Sequence, residues 1–259
     1  RVASRGLGDV YKRQEIYNFN DLRKTLDGIK WRGTSDTEVL LAAISEWGLD
    51  GALQKVNGMF AFGLWDSHEE KLFLVRDFLG EKPLYFYETE QTVIFSSELR
   101  AIESIPEIEL SISRSAITQY LCYGNIPWPE SIYNEVSKIQ PGSYICFSGG
   151  SIEYQKQYFS LKKHIIQSKE QSILDFDVGI DLLHSTLSNS VHQRMVSDVP
   201  LGAFLSGGTD SSLIVALMQE QSNQDVKTFS IGFDTKEFDE ASDARAVAKH
   251  LGTEHTELY

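Results

Sequence analysis

The residues with the clearest capacity for chemistry lie between Ser206 and Ser212, in the run Ser-Gly-Gly-Thr-Asp-Ser-Ser. The hydroxyls of Ser206, Ser211 and Ser212 and the carboxylate of Asp210 surround a glycine pair. Hydroxyls donate hydrogen bonds, and Gly207 and Gly208 let a ligand approach the backbone. A carboxylate beside a polyphosphate can hold magnesium. A helix starting within this run would add unpaired N–H groups and a dipole that favour an anion at the same place. No Lys follows the glycines, so this is not the G-x-x-x-x-G-K-[ST] loop of common nucleotide hydrolases. Serines plus backbone amides suit a compact, multiply charged group such as pyrophosphate. A plainer reading competes with this one: Ser-Gly-Gly is an ordinary loop, and Asp210 and the serines cap the next helix.

The flanking sequence supplies the elements such a site needs. Leu201 to Leu205 is an apolar strand, and Leu213, Ile214, Leu217 and Met218 then recur at helical spacing. Upstream, Ile180, Leu183, Leu187 and Val191 form a helix stripe. Downstream, Thr228 to Phe233 reads as a strand and Glu240 to Leu251 as a helix with Ala244, Val247, Ala248 and Leu251 inside. Alternating helix and strand predict a parallel α/β sheet, with two strands before Tyr259. A ligand belongs at the carboxyl ends of those strands, where Ser206 to Ser212 and Gly232 lie.

The first half has another texture. Glu15 to Asn18 looks like the end of a strand, and Asn20 or Asp21 can cap a short helix through Leu26. Ser35-Asp-Thr-Glu38 predicts a capping box, opening a helix with Val39, Leu40, Ala43, Ile44 and Trp47 on its apolar face. Asp36 then complements the dipole in the first turn. Short β-branched or aromatic runs at Met59–Asp66, Lys71–Arg76, Pro83–Tyr87 and Thr92–Ser97 predict strands. A helix is expected around Ser113 to Tyr123 and a loop at Asn125-Ile-Pro-Trp-Pro129. A Pro-Gly turn and strand fall within Lys138–Phe147, and Tyr154–Tyr158 can pair with that strand. Leu161 to Ser172 turns polar and marks the expected domain boundary. The opening Arg1 to Gln14 is basic, lacks periodicity and reads as foreign to the rest of the chain.

The chain has 259 residues, 41% of them hydrophobic, which allows about two domains with real cores. Its formal charge of -13 argues against nucleic acid or an anionic membrane as the main partner. No apolar run is long enough for a membrane span, and no secretory leader opens the chain. The two cysteines, Cys122 and Cys146, suit a reducing, cytoplasmic setting.

The Ser206–Ser212 run resembles the pyrophosphate loop of ATP pyrophosphatases, which release pyrophosphate from ATP as they adenylate a substrate. With it come Glu15-Ile-Tyr-Asn, Ser35-Asp-Thr-Glu-Val, Asn57-Gly-Met-Phe-Ala-Phe and Arg76-Asp with Gly80-Glu-Lys-Pro-Leu-Tyr85. Ser97-Glu98, Pro141-Gly142, Thr228-Phe-Ser-Ile-Gly-Phe233 and His250-Leu-Gly-Thr253 continue the series. Taken together, the sequence from Glu15 onward resembles glutamine-dependent asparagine synthetase and its amidotransferase relatives. The resemblance implies an α+β domain followed by an α/β domain. The first is an N-terminal-nucleophile αββα sandwich of the type 2 glutaminases over 15–165. The second is the start of a Rossmann-like, parallel-sheet ATP pyrophosphatase domain over 166–259, with 1–14 outside both.

In that family ammonia released from glutamine amidates a β-aspartyl-adenylate, giving asparagine, AMP and pyrophosphate. By motif, Glu15 and Asp36 match acids that hold glutamine, Asp36 through its α-ammonium group. Leu205 and Ile231 match adenine-side contacts, their own side chains expected in the strand core. Ser206, Gly207, Gly208, Asp210, Ser211 and Ser212 match the cradle for pyrophosphate, with Asp210 the magnesium ligand. His255 falls near that site as an expected solvated loop residue. ATP and Mg²⁺ are the implied cofactors, and glutamine and aspartate the implied substrates, with a homodimer left open. The family's nucleophile is a Cys at the mature N-terminus; neither Cys122 nor Cys146 matches it, so no catalytic residue is assigned and this stretch is expected to be inactive by itself. The Asn-Gly expected before Glu15 is replaced by Arg13-Gln14. Two alternatives stay open: a relative acting on another carboxylate, such as a sugar acid or β-lactam precursor, and a non-catalytic binding module.

Overall fold

The computed structural model describes residues 7–169, 173, 175–197, 199–233 and 239–259, with side chains from Gln14 onward. Residues 1–6 of the opening stretch and Ser172, the end of the polar stretch, lie outside the described residues. The chain divides into two compact units, 1–170 and 171–259.

The first unit runs β1 (Leu7–Ile16), α1 (Phe19–Thr25), α2 (Asp36–Leu53), β2 (Gly58–Asp66), β3 (Lys71–Arg76), β4 (Tyr85–Glu88) and β5 (Val93–Ser96). It continues with α3 (Leu99–Glu103), α4 (Arg114–Tyr123), β6 (Val136–Lys138), β7 (Ser143–Ser148), β8 (Ser151–Gln157) and α5 (Leu161–Lys169). Two antiparallel sheets form, in the orders β1-β2-β3-β7-β8 and β5-β4-β6.

Strand alternation explains how they stack. Phe60, Phe62 and Leu64 point one way from β2, into a core with Leu22 of α1 and Val39, Leu40, Ala43 and Ile44 of α2. Ala61 points the other way, joining Leu74, Leu84, Phe86, Ile139, Ile145 and Phe147 between the two sheets. Gly63 shares that face because there is no room for more: a Cβ there would lie 2.6 Å from the Phe95 ring. With α3 against β5 on the outer side, the layers are helix, sheet, sheet, helix, the expected αββα sandwich.

One detail departs from expectation. Ser35 caps α2 through the second helical amide and not through the reciprocal bonds of a capping box. Ser35 Oγ accepts from Thr37 N at 3.1 Å, but Glu38 turns away and accepts from Arg32 N (2.7 Å) and Gly33 N (2.9 Å). Buried at 6% exposure, that carboxylate satisfies the incoming loop instead of its own helix. The polar stretch after Leu161 opens with a helix, α5, and the two units divide at 170, within that stretch.

The second unit runs α6 (Phe176–Arg194), β9 (Gly202–Phe204), α7 (Thr209–Gln221), β10 (Lys227–Ile231), α8 (Ala241–Leu251) and β11 (Glu254–Leu258). Its sheet is parallel, in the order β11-β10-β9. Among the described residues it therefore has three strands, not the two expected. Leu205, Val215, Ala244 and Ala248 form the core beneath α7 and α8, while Val191 of α6 packs on Leu217, Met218 and Val226. The alanines of α8 let that helix approach the strands closely. Among the described residues, no helix is long and apolar enough to cross a membrane.

Candidate functional site

The Ser206–Ser212 run follows β9 and enters α7 at Gly208, its N-cap, which has no side-chain cap. Leu205 is buried, and its N–H donates to Phe229 O at 2.9 Å, so the ladder holds the chain up to the loop. Gly207 then turns with φ +81. A Cβ there would lie 2.7 Å from Ala244 N and 2.7 Å from Asp243 Cβ, so only glycine admits the first turn of α8 against the loop.

The serines shape this loop as well as line it. Ser206 Oγ and Ser211 Oγ are 2.9 Å apart, and Gly208 N–H donates to Ser206 Oγ at 3.3 Å. Ser211 Oγ and Ser212 Oγ donate to Gly208 O at 3.2 and 2.7 Å. The Ser212 N–H, also on Gly208 O at 3.1 Å, is the first helical amide with its i−4 partner. Helix geometry leaves the amides of Thr209, Asp210 and Ser211 for a ligand. Asp210, in that first turn, is exposed.

Magnesium fits this donor set: it takes one or two carboxylates plus phosphate oxygens and keeps several waters. Among the described residues there is no cluster of three His, Cys, Asp or Glu side chains that could hold a metal alone. Asp210 would hold the ion together with phosphate oxygens, and the ion would supply charge neutralisation there.

Ile231 departs from expectation. It is 55% exposed, not strand core. On β10 the buried residues are Thr228 and Ser230, so Phe229 and Ile231 emerge on the opposite face. His255 departs too. It sits on β11 with its side chain 10% exposed, between Thr228 and Ser230, because the ladder sets it opposite Thr228. A pattern argument could have found it only by recognising the polar alternation Thr253, His255, Glu257 as a strand face.

Of the two acids matched to glutamine, Glu15 lies near the end of β1 and Asp36 opens α2. Asp36 Oδ2 accepts from Ile16 N–H at 3.0 Å, which ties the first turn of α2 to the residue after Glu15. Glu15 is exposed, opposite in alternation to buried Ile16. Gln14 shares the Ile16 side of the strand, and both ends of its amide are buried without a partner.

Arg76 and Asp77, adjacent in one sequence motif, are both hubs. Asp77, 1% exposed, accepts from Phe60, Leu79, Glu81 and Lys82 backbone N–H groups at 3.2, 3.1, 2.9 and 2.9 Å. Arg76 donates to the carbonyls of Lys82, Ile139 and Gly80 at 2.9, 2.8 and 2.8 Å, and burial lowers its pKa. Phe60 pairs with Gln14, so this hub steadies the strand that carries Glu15. Cys146 is buried, its thiol 3.7 Å from Glu153 Oε2 and pushed up in pKa by burial, whereas Cys122 is exposed on α4.

Residues 10–159 match the family model of the glutamine amidotransferase domain, and residues 182–259 match that of asparagine synthase. Asparagine synthetase [glutamine-hydrolyzing] 1 of Bacillus subtilis is 35% identical over 244 residues, covering 93% of this chain and 37% of that protein. The putative asparagine synthetase [glutamine-hydrolyzing] 2 of Methanocaldococcus jannaschii is 36% identical over 249 residues, covering 95% of this chain and 47% of that protein. The chain thus spans less than half the length of these curated relatives. Among solved structures, the B. subtilis glutamine phosphoribosylpyrophosphate amidotransferase aligns with a TM-score of 0.45 at 16% identity, over 99% of this chain and 47% of that one. The chain belongs to the glutamine amidotransferase domain family, and its second unit carries part of an asparagine synthase domain.

Proposed function

We propose that this chain is part of a glutamine-dependent asparagine synthetase in which the first unit handles glutamine and the second binds magnesium–ATP. In this reading Glu15 and Asp36 hold glutamine, with Asp36 taking its α-ammonium group. Leu205 and Ile231 flank the adenine, Leu205 through its backbone. The amides at the start of α7, with Ser206, Gly207, Gly208, Ser211 and Ser212, receive the pyrophosphate, and Asp210 holds Mg²⁺. The acceptor is aspartate. Its carboxylate is a poor acyl donor until adenylated, and preorganised donors around the departing pyrophosphate lower the cost of that step.

The observation that carries the reading is the left-handed Gly207 turn, with its hydroxyls drawn inward and a free helix N-terminus behind it. Calorimetric titration of the chain with Mg·ATP and with pyrophosphate tests it. Both are expected to bind, and Asp210→Ala should weaken Mg·ATP by about tenfold or more by removing one charged contact. Failure of both ligands to bind the unaltered chain overturns the ATP assignment. Glutamine titration of Asp36→Asn tests the other unit separately, with weaker binding expected and unchanged affinity counting against Asp36.

A further inference from the structure

We propose that His255 is a positioning residue: it fixes the carboxyl end of β10 relative to the phosphate loop, and so holds the base end of a bound nucleotide. This rests on the assignment of Ser206–Ser212 to the pyrophosphate. The covered face of a parallel strand is normally Val, Ile or Leu. Here it carries Thr228 and Ser230 on β10 and His255 and Glu257 on β11, beneath a helix of alanines. Burying polar groups this way costs stability unless every one is paired.

They are paired. His255 Nδ1 is 2.9 Å from Thr228 Oγ1 and Nε2 is 3.2 Å from Ser230 Oγ, while Thr228 Oγ1 also meets Thr253 Oγ1 at 2.9 Å. A hydroxyl can donate or accept, so either neutral tautomer of the ring is satisfied. Ser230 immediately precedes Ile231, the last residue of β10, and Gly232 follows it. From the ring the contacts continue. Glu257 Oε1 lies 3.7 Å from Nε2 and receives Arg245 Nε at 2.6 Å. Arg245 follows Ala244, the residue whose amide crowds Gly207. One chain of contacts therefore links the end of β10 to the loop after β9. With phosphates at that loop, the rest of a nucleotide crosses the neighbouring strand end, and β10 is the neighbour of β9.

The two ring nitrogens can be tested apart. Asn at 255 keeps the reach of Nδ1 to Thr228 and loses Ser230; Gln keeps the reach of Nε2 to Ser230. In calorimetry on the full chain, His255→Asn and Ser230→Ala should weaken Mg·ATP by about tenfold, while His255→Gln stays within about threefold. Pyrophosphate affinity should be unchanged in all three, and the double variant Ser230→Ala with His255→Asn should lose no more than either alone. ATP binding unaltered by His255→Asn and Ser230→Ala overturns the proposal. So does an equal loss in His255→Gln and His255→Asn, the pattern of a merely structural ring. An unaltered chain that binds pyrophosphate but not ATP keeps the loop and overturns the positioning role. One that binds neither removes the loop assignment itself.

Discussion

Gly207 and Gly208 are adjacent and tolerate opposite things. Gly207 has φ +81, and a Cβ there would meet the backbone of Asp243 and Ala244 at 2.8 and 2.7 Å. Gly208 has φ -71, and its Cβ would meet only Ser206 Oγ, at 3.3 Å. Gly207→Ala should therefore cost about 1–3 kcal/mol and abolish pyrophosphate binding, because strain and clash fall on backbone that cannot step aside. Gly208→Ala should stay within about 1 kcal/mol, since φ suits alanine and the crowded atom is a hydroxyl that can rotate. Urea denaturation of both variants checks this, and equal midpoints would refute it. The glycine pair itself was legible in the sequence. Which glycine is irreplaceable was not, because the obstacle is a helix more than thirty residues further along the chain. His255 and Ile231 misled for a related reason: alternation on β10 selects Thr228 and Ser230 for the covered face, a choice hydrophobicity alone would reverse.

At the scale of elements, the hydrophobic strands of the sandwich were readable as short β-branched or aromatic runs between turn residues. Helix α2 was readable from the cap at Ser35, and α4, expected around Ser113 to Tyr123, opens with Ser113 Oγ accepting from Ala116 N and closes at Gly124 with φ 70. Strand β11 escaped because Glu254-His-Thr-Glu-Leu has no apolar alternation; it forms on backbone pairing with β10 and on partners for His255 and Glu257. The loop after β3 was legible only as a loop. Its rigidity comes from Asp77, which gathers four backbone N–H groups from β2 and from residues 79–82. Asp77→Ala should destabilise the first unit by at least about 3 kcal/mol, since each bond to a charged acceptor contributes about 1.5–3 kcal/mol. Asp77→Asn should recover only part of this, because an amide offers one acceptor oxygen where the carboxylate offers two. Chemical denaturation followed by near-ultraviolet dichroism measures both. A loss below about 1 kcal/mol for Asp77→Ala would mean that water replaces the carboxylate at those amides.

Across the whole molecule, the change from antiparallel strands to alternating strand and helix was readable from the pattern. The placement of charge was not. The chain carries a formal charge of -13, yet one buried-side carboxylate is held chiefly by Arg245. Arg245 donates to Glu257 through Nε at 2.6 Å and Nη2 at 2.5 Å, and chiefly through those bonds holds the Glu257 carboxyl down to about 2. An unfolded glutamate titrates near about 4.3. Because the folded value is the lower one, the unfolded state takes up the proton first as pH falls. The stability this pair contributes is therefore complete above about pH 4.3 and disappears as pH falls through about 2. Other carboxylates titrate over the same range, and below its pI of about 4.9 the chain gains net positive charge and self-repulsion, so the slope of one protein identifies nothing. The difference between two proteins does. Glu257→Gln should melt lower than the unaltered chain at pH 7, and the gap should close steadily below about pH 4.3. Arg245 is 60% exposed, so about 1 M salt should narrow the gap at pH 7 as well. Thermal melts from pH 7 to pH 2 decide the matter. A gap that persists undiminished at the acid end, or is absent at pH 7, would show that Arg245 does not govern the charge on Glu257.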